Sequence, residues 1–175
     1  MNKAFCKYGL VLVLLTGFVQ PEAEAGKIGV VDIDAVVEQS ELMQKGEKIL
    51  ADALTTLKAE RMALSETIKQ EREALVSKRK EMSLEAFGKQ NNALEAQEQE
   101  AELTFQQKLQ GLELERQSLQ WRINRDIEKQ SAAVAKEEGY STVLSKWQVI
   151  FYDEADDLTE KVLLKHNQSD ITLPK

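Results

Sequence analysis

The chain has little of what enzymes and compact cores are built from. It contains one cysteine and one histidine, its two prolines, Pro21 and Pro174, lie near its ends, and aromatic residues make up only 6% of it. A single histidine and a single cysteine do not supply the usual ligand sets of a zinc centre. Neither a glycine-rich phosphate loop nor an H-E-x-x-H motif occurs. The sequence therefore predicts neither an enzyme nor a bound cofactor or metal.

Residues 1–25 have the pattern of a secretory signal peptide. Two lysines precede an apolar run that ends before Pro21, and Ala23 and Ala25 are small residues of the kind found at a cleavage site. The run is shorter than the roughly 20 residues of a membrane-spanning helix. We expect an exported chain that begins near Gly26, with an uncleaved anchor as the alternative.

The charge balance is acidic, with 30 acidic against 23 basic residues and a net charge of −7. The predicted signal peptide holds two residues of each sign, so its removal leaves this balance unchanged. General nucleic-acid binding is not expected, because it relies on clustered Lys and Arg that neutralise phosphates. The only cysteine, Cys6, lies in the first 25 residues, so the exported chain must be held together by packing or by oligomerisation rather than by disulfides.

Short apolar segments bracket a long, charged, helix-favouring middle. Residues 27–32 are β-branched and read as a strand, and residues 140–144 and 148–152 read as two more. We assign residues 26–39 and 137–175 to a small β-rich oligomerisation head. Three short strands and one small helix, expected over residues 158–165, are marginal alone. An oligomer whose heads share one core is therefore predicted.

The middle, residues 40–136, is predicted to be an antiparallel helical hairpin. Apolar residues on alternating steps of three and four form a first seam at Leu50, Leu54, Leu57, Leu64, Ile68 and Leu75. A second apolar stripe includes Leu94, Ala101, Phe105, Leu109, Leu112, Leu119 and Ile123. The tip is expected near residues 78–84, where Ser83 is a plausible N-cap for the returning helix. The fold class is thus α+β, with a small β head and a long arm.

Candidate binding residues lie on this arm. The tip carries the one local run of positive charge, at Lys78, Arg79 and Lys80, which either meets anionic groups or is simply a solvated face. An arm has few places to bury large apolar side chains, and flexible methionines suit promiscuous surfaces. The candidates of this kind are Met62, Met82, Phe87 and Phe105, some of which are expected to fill the seam.

Two constellations near the C-terminus have plain structural interpretations. The acidic group at Asp153, Glu154, Asp156 and Asp157 lacks the spacing of a calcium loop, so a turn and a helix cap are favoured over a metal or acid–base site. His166 has few potential partners nearby and is expected to face solvent at the end of a short helix rather than to act as a ligand.

With these segments assembled, the sequence resembles the Skp/OmpH family of periplasmic chaperones. The resemblance covers essentially the whole chain after residue 26, and its specific part lies in the two ends. The motifs that carry it are Lys27-Ile-Gly-Val-Val-Asp32, Gly139-Tyr140, Val143-Leu144, Val149-Ile150, Tyr152, Asp157-Leu-Thr159 and Val162-Leu163.

The resemblance implies a trimer with a shared barrel-like body and three helical arms around a cavity. Members of the family hold unfolded outer-membrane proteins there, without ATP, in the periplasm. It implies no catalytic residue. The residues it would place in the trimer body are Ile28, Val30, Val143, Val149, Phe151 and Leu163.

This chain departs from the best-known family members in being acidic, whereas their arms are basic. Contact with membrane or lipopolysaccharide is correspondingly doubtful, and binding would depend more on apolar contacts or on the basic tip. The alternative function is a structural coiled-coil spacer or tether of the cell envelope.

Overall fold

The computed structural model describes residues 26–174, so the predicted signal peptide lies outside the described residues. The α+β prediction is confirmed. In chain order the helices and strands are β1 (Ile28–Val31), α1 (Ile33–Gln39), α2 (Glu41–Ser77), α3 (Leu84–Glu137), β2 (Thr142–Ser145) and α4 (Thr159–Asn167). Short 3-10 turns occupy Arg79–Glu81, Lys146–Gln148 and Glu154–Asp156.

Helices α2 and α3 form the antiparallel arm. They contain 37 and 54 residues, which corresponds to lengths of about 55 and 80 Å at 1.5 Å per residue. Leu57, Ile68 and Leu75 of α2 are buried against α3. The predicted cap is confirmed, because Ser83 Oγ accepts a hydrogen bond from the Ala86 backbone N–H at 3.1 Å and so satisfies a free amide at the start of α3.

Salt bridges join the two arm helices beside this seam. They are Arg61–Glu102 at 2.8 Å, Arg72–Glu98 at 2.8 Å and Lys108–Glu60 at 3.2 Å. All six side chains are well exposed, so each pair contributes only about 0–1 kcal/mol. The packed apolar residues therefore hold the helices together, and the ion pairs favour one register.

The head contains a parallel pair of strands. Ile28 lies opposite Thr142 and Val31 opposite Ser145. Parallel strands need a long crossover, and here the whole arm is that crossover. The other edge of β1 is also occupied, because the Leu158 backbone N–H donates to the Val30 carbonyl at 2.8 Å.

The prediction of a third strand at residues 148–152 is wrong. The chain makes a 3-10 turn at Lys146–Gln148 and continues through residues 149–153 without strand pairing. The physical reason is the lack of a partner, since β1 already has a neighbour on each side. Ile150 and Phe151 instead point outward and are almost fully exposed.

The hydrophobic core lies where the arm meets the head. α3 ends at Glu137, and Gly139 follows with a φ of 76° that allows the chain to reverse. The Tyr140 N–H then donates to the Ala135 carbonyl at 2.8 Å. This reversal directs the chain into β2. The buried core residues are Val31, Val36, Leu50, Leu119, Ile123, Ile127, Val134, Ala135, Tyr140, Leu158 and Val162.

Two glycines in the arm are predicted to respond oppositely to substitution. A Cβ at Gly46 would lie 2.4 Å from Leu119 Cδ2 in the core, whereas a Cβ at Gly111 would meet nothing within 4 Å. Gly46→Val should therefore lower the free energy of unfolding by about 1–3 kcal/mol through overpacking. Gly111→Ala should raise it by about 0.5–1 kcal/mol, because alanine loses less backbone entropy in a helix. Urea unfolding followed by circular dichroism measures both, and equal effects of the two variants would contradict the packing of Gly46 against Leu119.

Candidate functional site

Of the three basic residues at the tip of the arm, one makes a contact within the chain. Lys78 and Lys80 are exposed, but the Arg79 guanidinium lies 4.8 Å from the centre of the Phe87 ring. Both Phe87 and Met82 are half-buried. A cation stacked on an aromatic ring is attracted to the ring face, so Arg79 has an internal partner. The tip therefore offers two lysines to the solvent rather than three cations.

The middle of the arm contains a shallow groove between the two helices. It has a volume of about 290 Å³. Phe105 forms part of its lining but is only 8% exposed, and the Arg61 guanidinium covers the ring at 4.6 Å. Met62, by contrast, lies outside the seam and is 73% exposed. Phe105 thus belongs mainly to the packing of the arm, and Met62 is available at its surface.

The predicted oligomerisation residues fall into two groups. Val30 is buried in the core of the protomer, and Val143 and Leu163 pack against that core. Ile28 is half-exposed and Phe151 is almost fully exposed. Val30 therefore stabilises the protomer itself, whereas the exposed residues, and the half-buried Val143, Val149 and Leu163, keep surface that an interface could use.

Sequence reasoning missed several exposed apolar residues. In the head, Trp147 is 78% exposed and lies close in the chain to Ile150 and Phe151. On α3, Leu103, Leu114 and Trp121 are more than half exposed. On α3 these residues have a helical spacing of their own, separate from that of the seam, which could have revealed them. In the head, the residues were assigned to a buried strand or to a turn, so their exposure was not expected.

The acidic group near the C-terminus is confirmed as a turn. Asp153 Oδ1 accepts from the Ala155 N–H at 3.0 Å, and Asp157 Oδ1 accepts from the Thr159 N–H at 2.9 Å. The Tyr152 hydroxyl also donates to Asp157 at 3.1 Å. Burial raises the pKa of Asp157, but these hydrogen bonds, with nearby Lys146, outweigh it and hold the pKa below its ordinary value. Within residues 26–174, no cluster of three or more His, Cys, Asp or Glu has a metal-binding arrangement.

His166 does not face solvent, and that prediction is wrong. The ring is fully buried, with Nε2 2.8 Å from Ser40 Oγ and Nδ1 2.8 Å from Asp126 Oδ2. Because an ionised carboxylate can only accept, Nδ1–H donates to Asp126. Burial raises the pKa of Asp126, but hydrogen bonds that include those from Gln130 and His166 outweigh it and hold that pKa below its ordinary value.

Ser40, His166 and Asp126 have the hydrogen-bond order of a serine hydrolase triad, but the position of the serine indicates a structural role. Ser40 is fully buried at the start of α2, and its Oγ already accepts from the Met43 N–H at 3.1 Å as a helix cap. A nucleophile must be reachable by a substrate. The three residues instead connect α4 to the beginning of α2 and to α3. We call them the arm-base network.

The chain is similar to known proteins in sequence and in fold. The model of a family described as outer membrane protein (OmpH-like) matches residues 27–165. The solved structure of a Caulobacter crescentus CB15 protein, described as an OmpH-like outer membrane chaperone, is similar with a TM-score of 0.75 and 18% identity over 86% of this chain and 89% of that one. At that identity the likeness shows a shared fold.

No curated protein matches the chain. No helix within residues 26–174 is both long and apolar enough to cross a membrane. Because the family model covers most of the sequence, the chain belongs to the family described as outer membrane protein (OmpH-like).

Proposed function

We propose that this protein is an ATP-independent holdase chaperone of the periplasm, which captures unfolded outer-membrane proteins between helical arms. The observation that carries the proposal is the arm itself. It is long and two helices thick, and it exposes large apolar residues such as Met62, Leu103 and Leu114 that a spacer would not need. Membership of the OmpH-like family, and the chaperone description of the similar Caulobacter protein, support the same conclusion.

The proposal includes association of three heads. Exposed Trp147, Ile150 and Phe151 form an apolar segment on a head that has only two paired strands in the described part of the chain. Burying such residues between copies would remove them from water. The number three comes from the family resemblance, and the exposed segment supports association as such.

The proposed mechanism prevents aggregation of a client that is still unfolded. An unfolded outer-membrane strand exposes apolar side chains and unpaired backbone groups, which aggregate with those of other copies. Arms around a cavity keep one client apart from the next. Many weak contacts in parallel hold it without fixing its structure, and neither nucleotide nor metal is required for such binding.

The decisive experiment is aggregation of an outer-membrane β-barrel protein diluted from urea, followed by light scattering without nucleotide. We expect the purified chain to suppress scattering at an equimolar ratio of assembly to client, because the client is sequestered before it meets another copy. A protein of equal charge and no arm, such as a small acidic globular domain, is the control. Lack of suppression across several clients would reject the holdase and favour the envelope spacer.

A further inference from the structure

Helix α3 has a line of exposed apolar residues on the side away from α2. Leu103, Leu114 and Trp121 are 60%, 58% and 64% exposed. At 100° per residue they fall within about 20° of one another around the helix. Phe105 and Leu119, which are buried in the seam, fall about 160° from this line. The line therefore belongs to the outer side of the hairpin and has no partner within the described chain.

The surface around this line is free of charge. Between residues 103 and 124, every Asp, Glu, Lys and Arg of α3 lies about 80° or more from the line. The positions closer to it are occupied by leucine, tryptophan and uncharged polar residues, in a chain whose residues are 30% charged. We call this surface the neutral face, and its main residues are Leu103, Gln107, Gln110, Leu114, Gln117 and Trp121.

Charged residues end the neutral face towards the head. The Arg125 guanidinium lies 5.9 Å from the centre of the Trp121 ring and pairs with Glu128 at 3.1 Å. From Leu103 to Trp121 the face extends about 27 Å at 1.5 Å per residue. An extended strand of the same length has about eight residues, which is close to the 9–11 residues of a strand that crosses the outer membrane.

The composition of the face suits an unfolded strand better than a second copy of the arm. Leucine and tryptophan can accept apolar side chains, and the exposed amides of Gln107 and Gln110 can donate to and accept from an unpaired backbone. The Gln117 amide already donates to Glu113 Oε1 at 3.0 Å. An acidic segment can approach a neutral face even though the chain carries −7 overall. Helix-to-helix packing would need apolar residues on steps of three and four, whereas here the steps are eleven and seven.

We propose that the neutral face of α3 is the surface on which an unfolded outer-membrane strand lies. This assignment rests on the holdase function proposed above and names the part of the arm that performs it. It also explains how an acidic member of the family holds clients without a basic arm.

The test compares two pairs of substitutions that remove similar apolar area. L103Q/L114Q changes the neutral face, and V76Q/L84Q changes two exposed apolar residues near the tip of the arm, of which Val76 is 59% and Leu84 74% exposed. Binding of a labelled, urea-diluted β-barrel protein is measured by fluorescence anisotropy. We expect the Kd to rise about tenfold for L103Q/L114Q, because two apolar contacts are lost, and less than about twofold for V76Q/L84Q.

A photo-crosslinking residue at position 114 should then react with the client, and one at exposed position 104, about 80° away on the wheel, should react much less. Unchanged binding by L103Q/L114Q, while the parent chain captures clients, overturns the assignment alone. A smaller assembly mass for L103Q/L114Q overturns it too, because the face would then join copies of the chain. If the parent chain captures no client, the holdase function and the assignment both fail.

Discussion

Replacing His166 by alanine should lower the free energy of unfolding by about 3–5 kcal/mol, because it leaves a cavity and removes a hydrogen-bond donor from a buried carboxylate. The Asp126 side chain is only 11% exposed and would lose the ring that donates to it. Ser40 would lose a partner at the same point, and the space of the ring would be left empty. Urea unfolding followed by circular dichroism gives the value.

A neighbouring residue supplies the matched control. Lys165 of α4 pairs with Glu137 near the end of α3, but both groups reach solvent. Lys165→Ala should therefore cost less than about 1 kcal/mol. The double variant H166A/D126A should be less damaging than the sum of its single variants, because removing the carboxylate also removes the stranded charge. A loss for H166A no greater than that for K165A would show that the arm-base network does not stabilise the fold.

Replacing Ile150 and Phe151 by aspartate should convert the assembly into monomers. Each side chain is worth about 1.5–3 kcal/mol when fully buried, and a carboxylate in its place would be costly to desolvate. In the protomer both are almost completely exposed, so the substitutions should leave the helical content and the arm intact. Sedimentation of I150D/F151D against the parent chain measures the change in mass.

Met62→Asp is the control for this second prediction. It places the same charge on another exposed apolar residue, 73% exposed on the arm, and should leave the mass unchanged. A parent chain that sediments as a monomer would rule out the shared head. An I150D/F151D variant that keeps the parent mass would show that the copies meet through some other surface.

The sequence was most informative where the determining contacts are local. Helix periodicity predicted the arm, and Ser83 was recognisable as a cap because its partner, Ala86, is three residues away. His166 could not be placed in this way, because Asp126 and Ser40 are 40 and 126 residues distant in the chain. No short-range pattern reports such a pairing.

Two other differences have related causes. Residues 148–152 have the composition of a strand, but pairing depends on a free edge, and β1 has none left within the protomer. On α3, the apolar residues that pack on α2 were predicted from their helical spacing. The exposed apolar residues on the opposite side of the helix, Leu103, Leu114 and Trp121, have a second helical spacing that was not recognised. Composition therefore indicates which secondary structure a segment can form, whereas its contacts in the folded chain determine which structure it adopts.

The parallel register of β1 and β2 also determines the order in which the molecule can fold. Ile28 pairs with Thr142, which lies at the far end of the crossover, so β1 cannot pair with β2 until the whole arm has been synthesised. Closing so long a flexible loop would be slow. A hairpin of α2 and α3 that zips from its tip brings the two strands together without that search. We therefore expect the arm to fold before the two strands of the head pair.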